Sequence, residues 1–205
     1  MPSLDILKKR TADIIDIGNE QKFSVLLPLV QFAGTKSVLF EIRSPQLNVQ
    51  PGEICFPGGR IEPGDLNAEA TAIRETCEEL GLKKSDLKIA GPLDLLITPF
   101  QTMITPFAGQ INDYRNIKPN PAEVASVFYV PLDFFLNTEP QTFQAKITIN
   151  PPPDFPFHLL PNGKTYNWRT GKYPVHFYIY EDHVIWGITA RILNNFIRLL
   201  KQLTK

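Results

Sequence analysis

Apolar residues recur with two different periods along this chain. Phe23 to Val30 and Ser37 to Ile42 are runs rich in β-branched and aromatic residues. A short glycine-containing turn, QFAGTK, joins them, and the pattern predicts a strand pair. Ile54 to Phe56 predicts a short strand that Pro57-Gly58-Gly59 ends. Leu93 to Ile97, Ile104 to Ile111, Val124 to Val130 and Val175 to Tyr180 read as further strands. Residues 68–80 read as a helix, and Pro131 to Leu136 as a short helix or turn. Residues 186–203 form an amphipathic helix, with Leu193, Phe196, Ile197, Leu200 and Leu203 at helical spacing. Strands interleaved with two well-separated helices predict an α/β (α+β) fold, a mixed sheet packed between helices. Residues 137–174, rich in proline and asparagine, read as an insertion or a long surface loop.

Composition narrows the classes. At 205 residues the chain suits one domain, 1–205, with one sizeable core. Lysines plus arginines equal aspartates plus glutamates, 21 each, so net charge points to no nucleic-acid or membrane partner. Two cysteines, Cys55 and Cys77, make no disulfide framework and lie in no metal-type spacing. The opening MPSLDILKKR lacks a signal-peptide apolar core, and no apolar run approaches the ~18 residues of a membrane span. A cytoplasmic protein is the expectation, and a homodimer is compatible with it.

The chemistry gathers in Asn67 to Leu82 (NAEATAIRETCEELGL). Asn67 is the expected N-cap and Gly81 the expected left-handed terminus. At ~100° per residue, Ile73, Cys77 and Leu80 share a stripe expected to face the core. Glu75, Glu78 and Glu79 fall on the other side. Like charges three and four residues apart destabilise a helix, and Arg74 offsets part of this by pairing with Glu78. Alone, that face is compatible with ordinary solvated surface. Phe56-Pro57-Gly58-Gly59 before the helix changes the reading. Glycines let backbone approach a ligand, and hard cations such as Mg²⁺ take oxygen donors and bridge carboxylates to phosphates. The Gly59 carbonyl is a candidate donor beside the three glutamates.

These elements resemble the Nudix signature. Gly59 stands for its first glycine, Arg74-Glu75 for its Arg-Glu pair, Glu78-Glu79 for its paired glutamates and Gly81-Leu82 for its end. Asp65 stands where the signature has glutamate, eight residues rather than seven separate it from Arg74, and Thr76 replaces an apolar residue. Those departures are similar to the coenzyme A pyrophosphatase subgroup. So is the upstream element Arg43-Ser44-Pro45-Gln46-Leu47 with Pro51-Gly52-Glu53-Ile54-Cys55-Phe56-Pro57-Gly58-Gly59. Asn48 and Gln50 stand where that subgroup often shows arginine and histidine. Asn120-Pro121-Ala122-Glu123-Val124, Val130-Pro131-Leu132 and Ile185-Trp186-Gly187-Ile188-Thr189-Ala190 resemble the same subgroup.

The resemblance implies a Nudix α/β/α sandwich and a metal-dependent pyrophosphatase. Its cofactor would be Mg²⁺ or Mn²⁺, held by Glu75, Glu78, Glu79 and Gly59. Its substrate would be a small nucleotide-linked molecule, with coenzyme A or acyl-CoA giving 3′,5′-ADP and (acyl-)4′-phosphopantetheine. ADP-ribose or a dinucleotide is the alternative substrate, and a non-catalytic Nudix-fold ligand sensor is a third reading. Arg74 is expected to orient a carboxylate. Glu75, Glu78 and Glu123 are the candidates for general base. Arg43 and Arg60 are candidates for phosphate contacts, since Arg binds phosphate oxygens bidentately, and Glu53 for a site-facing carboxylate. Cys55 has no neighbouring base to activate it, Trp168 and Trp186 read as packing residues, and Tyr166 to Trp168 could line a base or pantetheine pocket.

Overall fold

A computed structural model describes residues 14, 15, 17, 18 and 21–203. The opening MPSLDILKKR lies outside the described residues. The chain divides into two compact units, one ending at Asp133 and one beginning at Phe134.

The first unit is built on an eight-stranded sheet. Its strands are β1 (Lys22–Phe32), β2 (Thr35–Arg43), β3 (Ile54–Cys55), β4 (Gly58–Arg60), β5 (Leu87–Pro92), β6 (Leu96–Ile97), β7 (Met103–Ile111) and β8 (Val124–Pro131). The main path runs β3-β2-β1-β7-β5, with β4 on β1, β6 on β7 and β8 on β2. β1 and β7 run parallel and the other pairs antiparallel, so the sheet is mixed. The turn between β1 and β2 is made by Ala33 and Gly34, both at positive φ.

Helix α1 (Ala68–Leu80) lies on this sheet. Asn67 Oδ1 accepts from the Ala70 N–H at 2.9 Å, satisfying one orphan donor of the first turn. Gly81, at φ 63°, ends the helix. A Cβ there would also strike the Lys118 carbonyl, so both conformation and contact select glycine. Ala72 packs with Leu26 and Phe107, and Leu80 with Val30, Leu39 and Ile111.

The buried face of α1 differs from the expected one. It comprises Thr71, Ala72, Thr76, Glu79 and Leu80, while Ile73 and Cys77 are half-buried. The face is turned by roughly one residue, ~100°. Apolarity alone pointed to Ile73 and Cys77. Thr76 can be buried because its hydroxyl donates to the Ala72 carbonyl at 2.6 Å. Glu79 can be buried because a backbone amide meets it.

The second unit holds β9 (Gln141–Ile147), β10 (Gly171–Tyr180) and β11 (His183–Trp186) in an antiparallel sheet ordered β11-β10-β9. Helix α3 (Gly187–Leu203) packs on β10 and β11, and Tyr178 Oη donates to Asn194 Oδ1 at 3.2 Å. A short helix, α2 (Leu132–Asn137), precedes it in sequence. Residues 137–174, expected to be an insertion or loop, contain β9, two single 3₁₀ turns and the start of β10. β9 carries Gln, Thr and Lys on a largely exposed strand, so it lacks the apolar alternation that reveals one. Leu203, expected in the apolar stripe of α3, is exposed, whereas Leu193, Phe196 and Ile197 are buried. Trp186, expected as a packing residue, is 44% exposed and stacks on Phe177.

Candidate active site

Four segments of the first unit converge on α1. β4 carries Gly58 and Gly59 along β1. The end of β2 carries Glu41 and Arg43. The loop before β8 carries Asn120 and Glu123. The segment after β4 carries Asp65.

Arg74 is the centre of this arrangement. Its guanidinium forks onto Asp65, with Nε to Oδ1 and Nη2 to Oδ2 both at 3.0 Å. Nη1 meets Glu75 Oε1 at 2.9 Å and Glu78 Oε2 at 3.2 Å, and Nη2 donates to the Arg60 carbonyl at 3.3 Å. The hydrogen bond to Asp65 raises the Arg74 pKa further, although partial burial opposes it. Asp65 also accepts from the Thr71 hydroxyl at 2.9 Å and the Glu62 N–H at 3.0 Å. The Arg74 guanidinium, ahead of these, holds the Asp65 carboxyl well below the usual range. Asp65 is therefore an anchor for Arg74, whose guanidinium is ion-paired with two helix carboxylates, Glu75 and Glu78.

The three helix glutamates differ in environment. Glu78 is 54% exposed at its side chain. Glu75 is largely withdrawn from water, and burial raises its pKa against the lowering effect of Arg74. Its carboxylate lies against the Gly59 Cα so closely that any Cβ there would overlap it. Glu79 is 5% exposed and accepts from the Gly58 N–H at 2.8 Å. Burial pushes its pKa up to about 8, the Gly58 amide opposes this, and Glu75 and Glu123 add to it.

Backbone bonds bring Glu123 to the same place. The Lys118 N–H donates to the Leu80 carbonyl and the Asn120 N–H to the Glu79 carbonyl, both at 2.8 Å. These bonds satisfy orphan carbonyls at the end of α1. From the other side, the Ser44 N–H donates to the Glu123 carbonyl at 2.8 Å, while Asn120 Nδ2 holds Glu123 Oε1 at 3.1 Å.

The remaining expected residues are less uniform. Arg43 turns into the carboxylate group, with its Nε buried and Nη2 reaching the Val49 carbonyl at 3.4 Å. Glu53 is half-buried, and its carbonyl accepts from the Arg43 N–H at 2.9 Å. The Arg60 guanidinium lies 5.9 Å from the centre of the Phe23 ring, and its carbonyl serves Arg74. Cys55 is half-buried beside Glu41; burial and that carboxyl raise its thiol pKa far above normal, so it is no thiolate nucleophile. Tyr166 and Trp168 belong to the second unit, where they pack edge to face.

One member of the cluster escaped the sequence reading. Glu41 is fully buried in β2, opposite Cys55 in β3. The available signal was period two: Leu39, Glu41 and Arg43 share one strand face, and a carboxylate interrupts an apolar run.

Among the described residues, no three His, Cys, Asp or Glu side chains form a ready metal cage. The donor set nonetheless fits a hard divalent cation. It consists of oxygens, Glu75, Glu79 and Glu123 are electrostatically linked, and Glu41 Oε1 is buried without a hydrogen-bond partner.

The NUDIX domain family model matches residues 20–149, and the chain belongs to the Nudix family of hydrolases, which act on pyrophosphate bonds. Within that family it resembles coenzyme A diphosphatases. It is 38% identical over 142 residues to peroxisomal coenzyme A diphosphatase NUDT7 of Mus musculus, covering 69% of this chain and 59% of that protein. It is 30% identical over 182 residues to mitochondrial coenzyme A diphosphatase NUDT8 of Homo sapiens, covering 86% of this chain and 68% of that protein. A crystal structure of a MutT/nudix family protein from Enterococcus faecalis aligns over 98% of this chain and 70% of that chain. Its TM-score is 0.50 at 12% identity, a likeness of fold. The chain thus has the Nudix fold, a mixed sheet with helices. No described helix is long and apolar enough to cross a membrane.

Proposed function

We propose that this protein hydrolyses the pyrophosphate bond of coenzyme A or acyl-CoA, giving 3′,5′-ADP and (acyl-)4′-phosphopantetheine. The observation that carries the proposal is the clustering of Glu75, Glu79 and Glu123 around Gly58-Gly59, with Arg74 locked by Asp65. Asp65, one of the departures from the general signature that resemble the coenzyme A subgroup, is a built anchor for Arg74. Similarity to two proteins named coenzyme A diphosphatases supports the substrate.

Nudix hydrolases use divalent ions, and here Glu75, Glu78, Glu79 and the Gly59 carbonyl would hold Mg²⁺ or Mn²⁺. When bound, such an ion lowers the pKa of water and neutralises charge on the phosphates. The chain's own residues do the rest. Arg74 fixes Glu75 and Glu78, so their oxygens need little reorganisation when charge develops. In the reaction a water oxygen bonds to phosphorus, its proton passes to a carboxylate, and the bridging P–O bond breaks. Glu75, Glu78 and Glu123 are the candidate carboxylates for that role. Arg43, Arg60 and Glu53 are the candidates for substrate contacts, a guanidinium being suited to phosphate oxygens. The names of the two relatives, peroxisomal and mitochondrial, lend no support to a cytoplasmic location, and the proposal does not depend on it.

A substrate panel tests the reading. Purified protein is incubated with coenzyme A, ADP-ribose, NADH and diadenosine polyphosphates, each with Mg²⁺ or Mn²⁺. The proposal expects coenzyme A or an acyl-CoA to have the highest kcat/KM. Strong turnover of ADP-ribose or a dinucleotide alone would sink it. Tight ligand binding without turnover would favour a sensor.

A further inference from the structure

Glu41 lies in β2 directly after Val38, Leu39 and Phe40, all fully buried. It is 1% exposed itself. Its Oε2 accepts from the Cys55 thiol at 3.9 Å, while its Oε1 is buried with no hydrogen-bond partner. The charged groups that act on it are Glu79, Arg43 and Glu123. Two of these three are carboxylates of the candidate site. A half-satisfied carboxyl in an apolar strand costs free energy that a leucine would not. Strand packing alone therefore gives no reason for it. A buried acceptor without a donor, within electrostatic range of two other carboxylates, is an arrangement that a cation completes.

We propose that Glu41 is a further carboxylate of the divalent-cation site, contributed by β2 beside Glu123 of the loop before β8, while Glu75, Glu78 and Glu79 act from α1. The inference rests on the cation site proposed above and adds a residue outside the helix signature. It also gives a reason for Arg43. That guanidinium stands two residues on, on the same strand face, where it offsets the added negative charge.

The test is Mn²⁺ binding to the full chain without nucleotide, followed by electron paramagnetic resonance of free Mn²⁺ and by calorimetry. Wild type is compared with Glu41→Gln and Glu41→Leu, and denaturation midpoints are measured on the metal-free proteins. The expected result is a Mn²⁺ affinity lowered about tenfold or more in both variants, with midpoints equal to or above wild type. Variants that bind Mn²⁺ within twofold of wild type overturn the role of Glu41 and leave the cation site standing. Wild type that binds no Mn²⁺ overturns both. If both variants fail to fold, Glu41 is a structural carboxylate, and the proposal is likewise overturned.

Discussion

Arg74 and Asp65 form a forked ion pair, with two N–H groups on two carboxylate oxygens at 3.0 Å each. Asp65 is 7% exposed at its side chain and Arg74 27%. Asp65→Asn keeps the size and removes the charge. It should cost about 1–3 kcal/mol of stability at neutral pH. It should also lower kcat by about tenfold or more, because Glu75 and Glu78 lose their fixed partner. Denaturant unfolding and steady-state rates on the same preparation check this. An unchanged rate would mean that Arg74 keeps its position without Asp65.

Gly59 is defined by the side chain above it. A Cβ would overlap the Glu75 carboxyl group, so Gly59→Ala must push that carboxylate away. The expected outcome is a loss of activity of about a hundredfold, with a stability cost of about 1–3 kcal/mol. Wild-type turnover in a folded Gly59→Ala protein would remove Glu75 from the site.

Glu79 makes the metal-free protein pH-sensitive. Its carboxyl has an ordinary value of 4.5 and sits at about 8 in the fold, chiefly through burial. Between those values the folded chain holds a proton that the unfolded chain releases. Stability is therefore full below the lower value and falls as pH rises through about 8. Denaturant midpoints in a chelator should be higher near pH 5 than near pH 8.5. Adding Mn²⁺ at the higher pH should restore stability, and Glu79→Gln should flatten part of the profile. A midpoint that rises with pH would contradict the assignment.

Much of this site is legible in the sequence, because its parts are local. The Asn67 cap, the Gly81 terminus, the Arg74–Glu78 pair and the helix limits all follow from spacing within a few residues. The orientation of α1 was not legible. Ile73 and Cys77 are the more apolar residues, but Thr76 and Glu79 are buried through bonds to Ala72 and Gly58, and only the fold brings Gly58 alongside. Glu41 was hidden for a related reason: its partners come from α1 and from the loop before β8, far away in sequence. The strand expected at Leu93 to Ile97 is formed only over Leu96–Ile97, and the strand Leu87–Pro92 was not legible. Its Lys88, Gly91 and Pro92 break the expected pattern, and its ladder with β7 shifts register between Ile89 and Gly91.

The helix carboxylates are proposed to serve pyrophosphate cleavage of a coenzyme A substrate. The most direct test is product analysis of coenzyme A incubated with Mg²⁺ or Mn²⁺ and either wild type or Glu79→Gln. The expected result is 3′,5′-ADP and 4′-phosphopantetheine in equal amounts from wild type, no reaction in chelator, and a rate lower by on the order of a thousandfold in the folded variant. Intact coenzyme A with wild type, or equal turnover by Glu79→Gln, would contradict it.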